Sequence, residues 1–139
     1  MTDNLDKETR HYNMTRIKSI NTAPEIIVRK FLFSKGFRFR INDKRFHGKP
    51  DIVLPKYRTV IFVHGCFWHS HNCKKFVLPK SNVTYWSEKL NRNKTRDEVN
   101  ICKLKNEGWQ VLVVWECELE KKNRMQKLEE LALDLYSLK

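Results

Sequence analysis

Residues Val60–Phe76 read VIFVHGCFWHSHNCKKF. The first four, Val60 to Val63, have the length and β-branched character of a buried strand. The next ten, His64 to Cys73, bring a glycine, two cysteines, three histidines and two aromatics. A hydrophobic core gains nothing from imidazoles and thiols crowded together, so the stretch reads as a strand whose end opens into an active site. Just upstream, Asp51–Pro55 (DIVLP) is a second apolar run, and residues 55–58 supply the turn between the two. Pairing them as an antiparallel hairpin sets Asp51 opposite Phe62 to His64, so a carboxylate and an imidazole share one end of a sheet. Asp51 there could hold a hard cation together with a nearby main-chain carbonyl such as that of Val63. An ordinary strand-edge aspartate is the competing reading.

The rest of the chain alternates around this hairpin. Residues 1–21 carry few core-forming side chains and read as an N-terminal arm, leaving 22–139 as the folded domain. In TAPE, Thr22 and Glu25 have capping-box spacing and Pro24 suits a first helical turn, which predicts a helix to about Lys35, stopped by Gly36. FRFRI (37–41) alternates like a strand, and INDKRFHGKP (41–50) reads as a loop. Residues 65–82 are irregular; a long helix is expected over about 84–107, ending at Gly108, then the strand WQVLVVWE (109–116) and a last helix over about 120–138. Helix, three strands, helix, strand, helix make an α/β fold with a mixed β-sheet flanked by helices.

At 139 residues the chain can bury one core without disulfides. Lys and Arg number 28 against 16 Asp and Glu, a formal charge of +12, which calls for a polyanionic partner. The basic residues are spread along the whole chain rather than along one amphipathic helix, which favours nucleic acid over a membrane surface. The polar N-terminus and the lack of an apolar run near the ~20 residues of a membrane span predict a cytoplasmic protein. In that compartment four cysteines imply metal or free thiols.

Two further patterns carry chemistry. In the long helix, Trp86, Leu90, Ile101 and Leu104 form one stripe that also holds Asn93 and Asp97. An inward aspartate needs a partner, and two readings compete: an imidazole of HGCFWHSHNC, which the carboxylate would make a better base, or an arginine in a structural salt bridge. Cys66, His71, Cys73 and Cys117 supply three sulfurs and a nitrogen, a closed tetrahedral zinc set that would pin the irregular loop to the sheet. The spacing differs from common zinc fingers, so small buried cysteines are the alternative. Cys102 lies off the inward stripe.

KPDIVLP, VIFVHGCFWHSHNC, KLNRNKTRD and VLVVWEC together resemble the very-short-patch-repair (Vsr-type) mismatch endonucleases, a branch of the restriction-endonuclease-like fold. The likeness runs from about Asp6 through Cys117 and leaves out only the C-terminal helix. It implies that Asp51 and the main-chain oxygen of Val63 bind catalytic Mg2+, that His64 lies near the phosphate, and that His69 is the base, oriented by Asp97. It places the family's site glutamate on Glu25, in competition with the capping box, and the structural Zn2+ on Cys66, His71, Cys73 and Cys117. It assigns the wedge entering DNA to Phe67, Trp68 and Trp86, with Met14 from the arm and with Lys89 and Asn93 near the mispair.

The implied reaction is magnesium-dependent nicking of one strand 5′ of the thymine at a T:G mispair, initiating very short patch repair, by a monomer in the bacterial cytoplasm. Two departures stand out. FVH occupies the place of the second acid and lysine of the wider fold, and Val63 stands where a threonine can occur, with Ser70 interrupting the histidine run. The rival functions are a sequence-specific nicking or restriction-type endonuclease with another target, and a zinc-stabilised DNA-binding module that does not cut.

Overall fold

A computed structural model describes residues 22–66, 69, 71, 73 and 78–137. The elements run α1 (Ala23–Ser34), β1 (Arg40–Ile41), β2 (Ile52–Leu54), β3 (Thr59–His64), α2 (Val83–Asn106), β4 (Gln110–Trp115) and α3 (Arg124–Ser137). Single 3-10 turns occupy Pro55–Tyr57 and Glu116–Leu119. The strands form one mixed sheet in the order β1-β2-β3-β4, antiparallel except for the parallel β3–β4 pair, whose crossover carries α2. The expected α/β architecture is therefore the one observed. The arm, 1–21, lies outside the described residues.

Side-chain alternation sorts the sheet into two faces. Ile52, Leu54, Ile61, Val63 and Val114 pack with Val28 and Leu32 of α1 and with Leu128, Leu131, Ala132 and Leu135 of α3. Val53, Val60 and Phe62 pack on the other face with Leu104 of α2, joined by Phe46, Ile101, Trp109, Val111 and Val113. All six residues of β3 are buried, as the near-continuous apolar run requires of a strand covered on both faces. Full burial of one such aliphatic side chain stabilises the fold by roughly 1.5–3 kcal/mol.

Both helices expected to stop at glycine do so. Gly36 and Gly108 have φ of +93°, and the next residues donate back into the last turn, Phe37 N–H to Leu32 O and Trp109 N–H to Leu104 O, each 3.1 Å. The same cap shortens the strand expected over 37–41. Phe37 is committed to closing α1 and to packing on Tyr57 and Tyr136, and the Arg38 guanidinium lies over the Phe33 ring, so pairing begins only at Arg40. The last helix begins at Arg124 instead of about 120, because the chain first makes the turn Glu116–Leu119, closed by Trp115 N–H donating to Glu118 Oε1 at 2.8 Å. No helix among the described residues is long and apolar enough to cross a membrane.

Candidate active site

The hairpin register is Ile52 to Ile61, Val53 to Val60 and Leu54 to Thr59, which puts Asp51 level with Phe62 and Pro50 level with Val63. Proline has no N–H, so it cannot complete the ladder at Val63. The Val63 N–H instead donates to Asp51 Oδ2 at 2.6 Å. A strand residue's N–H and C=O leave the strand on the same side, so the Val63 carbonyl also faces the Asp51 end.

Glu25 reaches this end from the first turn of α1. Thr22 is the N-cap but makes no side-chain capping bond, and Glu25 is only 3 % exposed, so the capping box expected from TAPE does not form. Its carboxylate is turned inward, where Arg29 Nη2 donates to Oε2 at 2.8 Å and where it adjoins Asp51. Burial, reinforced by the charge and hydrogen bonding of Glu25, pushes the Asp51 carboxyl up to about 7, against the lowering effect of the Val63 N–H.

Beyond β3 the histidines assemble around Asp97 of α2. His69 Nδ1 is hydrogen-bonded to Asp97 Oδ2, which settles the choice of partner for that inward aspartate. His69 also stacks face to face on His64, with centroids 3.8 Å apart and planes 4° from parallel. His64 is 6 % exposed; burial, then the neighbouring His69, depresses it to about 3 despite Asp97, so it is a neutral imidazole near pH 7. Its Nδ1 is buried without a hydrogen-bond partner among the described residues.

The ligand atoms of His64, His69 and Asp97 lie within 4.8 Å of one another, as do those of Cys66, His71, Cys73 and Cys117. The two groups differ in what they can bind. An imidazole binds an ion in its ring plane, and two parallel stacked planes share no point, so His64 and His69 cannot both ligate one ion as they stand. The cysteine group has the right shape. Bonds of about 2.3 Å to sulfur and about 2.0 Å to nitrogen at tetrahedral angles separate S from N by about 3.5 Å. His71 Nδ1 is 3.5 Å from both Cys66 Sγ and Cys117 Sγ. Burial pushes the Cys66 thiol up to about 12 and raises Cys117 as well, so a cation bound by these two would displace their protons.

Three side chains here were not anticipated from sequence. Trp115, level with His64 across the β3–β4 pair, stacks on His71 at 4.0 Å and meets His64 edge-on at 5.1 Å, joining the cysteine group to the histidines. Glu116 accepts the Cys66 N–H at 3.2 Å. Arg29 holds Glu25; its one sequence signal is the i,i+4 spacing from that glutamate.

Along α2, Trp86, Lys89 and Asn93 are half-buried on the side of the helix that also carries Asp97, with Lys89 Nζ about 6 Å from the Tyr85 and Trp86 ring centres. Arg96 donates to Asn93 Oδ1. Cys102 is exposed and stands apart from the site. Met14, Phe67 and Trp68 lie outside the described residues.

The family described as DNA mismatch endonuclease Vsr matches residues 2–75. The type II nicking enzyme V.NmeAIP of Neisseria meningitidis is 54% identical over 122 residues, 88% of this chain and 87% of its own length. The type II nicking enzyme V.XorIIP of Xanthomonas oryzae is 52% identical over 119 residues, 86% and 88% of the two chains. The DNA mismatch endonuclease Vsr of Escherichia coli is 42% identical over 125 residues, 90% and 80% of the two. A family match over more than half the chain, with relatives this similar over most of their length, makes this protein a DNA endonuclease belonging to the Vsr family.

Proposed function

We propose that this endonuclease nicks one strand of duplex DNA on the 5′ side of the thymine in a T:G mispair, as a monomer and with magnesium. The observation that carries the chemistry is the meeting of two groups at one sheet end: the carboxylates of Glu25 and Asp51, and the Asp97–His69–His64 chain. The mispair itself rests on the resemblance, and the E. coli relative's name, DNA mismatch endonuclease, supports it.

The donor set suits a hard cation. Asp51 and the Val63 carbonyl offer oxygen ligands, and two adjoining buried carboxylates form a charge that a cation would relieve. A divalent ion bound there would polarise the scissile phosphate and stabilise the leaving oxygen. The remaining work falls to side chains. Asp97 fixes Nδ1–H of His69, leaving Nε2 as the lone-pair nitrogen that takes the proton of the attacking water. His64, kept neutral by burial, contributes an N–H donor near the phosphate rather than a positive charge.

Cys66, His71, Cys73 and Cys117 would hold a structural zinc ion, a set of four protein ligands that would pin the loop to the sheet and leave the chemistry to the other group. Trp86, Lys89 and Asn93 on α2, with Phe67 and Trp68 of the loop and Met14 of the arm, are assigned to the mispair and its unstacked step. The names of the two relatives above 50% identity favour one second reading, a nicking enzyme with a different recognition site.

The test uses matched and T:G-containing duplexes of varied flanking sequence, with and without magnesium. Single-strand nicking confined to T:G duplex and dependent on magnesium is expected. Equal nicking of matched duplex rules out mismatch specificity. Asp51→Asn should remove nicking while leaving binding to T:G duplex within about threefold, because it takes a cation ligand but not the basic surface.

A further inference from the structure

We propose that Arg29 is a positioning residue that sets the charge of the Glu25–Asp51 pair, holding the metal-free site together and holding down its affinity for a divalent cation. The inference rests on the reading of Asp51 as a cation ligand. Two carboxylates in contact at a buried sheet end repel, and such a site needs a proton or a fixed cation to stay closed. Arg29 stands one turn along α1 from Glu25, with Nη2 2.8 Å from its carboxylate and the two side chains 13% and 4% exposed. Desolvation of that order makes the pair stronger than a surface i,i+4 contact. A guanidinium keeps its charge at every working pH, so its compensation does not depend on a proton.

The effect extends past Glu25. Glu25 adjoins Asp51, so the guanidinium bonded to Glu25 stands one carboxylate away from the proposed cation ligand. A cation arriving at Asp51 therefore meets a standing positive charge close by. It binds more weakly than it would to the two acids alone, by about three- to tenfold when water and the paired Glu25 carboxylate screen the guanidinium. A merely structural ion pair would alter stability without altering cation affinity.

Calorimetric titration of Mn2+ into the zinc-loaded protein at pH 8 separates these roles. Arg29→Met and Arg29→Gln should each bind Mn2+ about three- to tenfold more tightly than wild type and unfold at lower temperature without it. Arg29→Lys, which keeps the charge, should stay within about twofold of wild type. Unchanged affinity in both neutral variants overturns the proposal. Should they be unfolded when metal-free, folding on addition of Mn2+ supports it and failure to fold overturns it. Asp51→Asn serves as the second arm. Loss of Mn2+ binding in that variant with no change in the neutral Arg29 variants sinks the role of Arg29 alone, whereas wild type that binds no Mn2+ sinks the Asp51 reading and this inference together.

Discussion

Cys66, His71, Cys73 and Cys117 form one cluster and His64, His69 and Asp97 another, each with its ligand atoms inside 4.8 Å, and the indole of Trp115 touches both. In the first, His71 Nδ1 stands at tetrahedral spacing from Cys66 Sγ and Cys117 Sγ, and burial raises both of those thiols, so the group has the shape and donors that suit a metal ion. In the second, His69 is hydrogen-bonded to Asp97 and stacked flat on His64, whose own Nδ1 is buried with no hydrogen-bond partner among the described residues. Compactness alone does not make a metal site. What separates the two is geometry: the parallel rings of His64 and His69 cannot converge on one ion, whereas His71 Nδ1 stands from two sulfurs at the separation a tetrahedral ion sets.

That contrast can be broken most severely from the zinc side. Cys73→Ala leaves three ligands and a site that no longer closes. Because cation binding by such a set is folding free energy, the variant should lose zinc, unfold at lower temperature and lose nicking altogether. Metal analysis together with thermal unfolding checks this. Wild type without zinc, or a variant that keeps its unfolding temperature, would put the cysteine group back among ordinary buried thiols.

Substitutions in the histidine group should leave fold and zinc in place and act on rate. His69→Ala should slow nicking by about 10²- to 10⁴-fold, the scale of a lost general base. Asp97→Asn should cost less, since His69 remains but loses the partner that orients it and raises its basicity. Single-turnover nicking of T:G duplex at saturating enzyme measures both. An Asp97→Asn loss as large as that of His69→Ala would mean the pair acts as one unit, and a thermal shift matching that of Cys73→Ala would mean that Asp97 is a structural residue.

Much of this frame was legible before any coordinates. Glycines that end helices, an apolar hairpin around Pro55–Arg58 and a thiol–imidazole cluster are local signals, and each is found where its residue types predict. The failures have physical causes. Thr22 and Glu25 have capping-box spacing, but a glutamate one turn from an arginine is held inward by that guanidinium instead of returning to the helix end. Strand propensity in FRFRI gives way to Phe37 packing on two tyrosines. Trp115 was invisible as a site residue because its role depends on the parallel register of β3 and β4, two strands separated by a 24-residue helix. Arg29 was hidden among 28 basic residues, and only the depth of Glu25 marks it out.

The smallest effect expected is one of pH, and it sets the two polar groups of the site against each other. In the metal-free state Asp51 is raised from 3.8 to about 7, so between those values the unfolded chain has released a proton that the native state still holds. The unfolded state then binds fewer protons, and stability falls as pH rises through this window. His64 works the other way. Lowered from 6.5 to about 3, it favours the native state above pH 6.5, and that contribution is lost as pH falls toward 3. The wild-type profile mixes both slopes, but Asp51→Asn removes only the first. The difference between wild type and Asp51→Asn, measured by thermal unfolding of zinc-loaded protein without added magnesium, should grow in favour of the variant from pH 5 to about pH 7 and level off by pH 8. Magnesium should shrink that difference at pH 8 by satisfying the ionised carboxylate, and should do little at pH 5, where binding must first displace the proton. A difference that stays flat with pH, or magnesium stabilisation of equal size at both ends, would mean that Asp51 does not titrate in this window and that the buried acid pair is not what receives the ion.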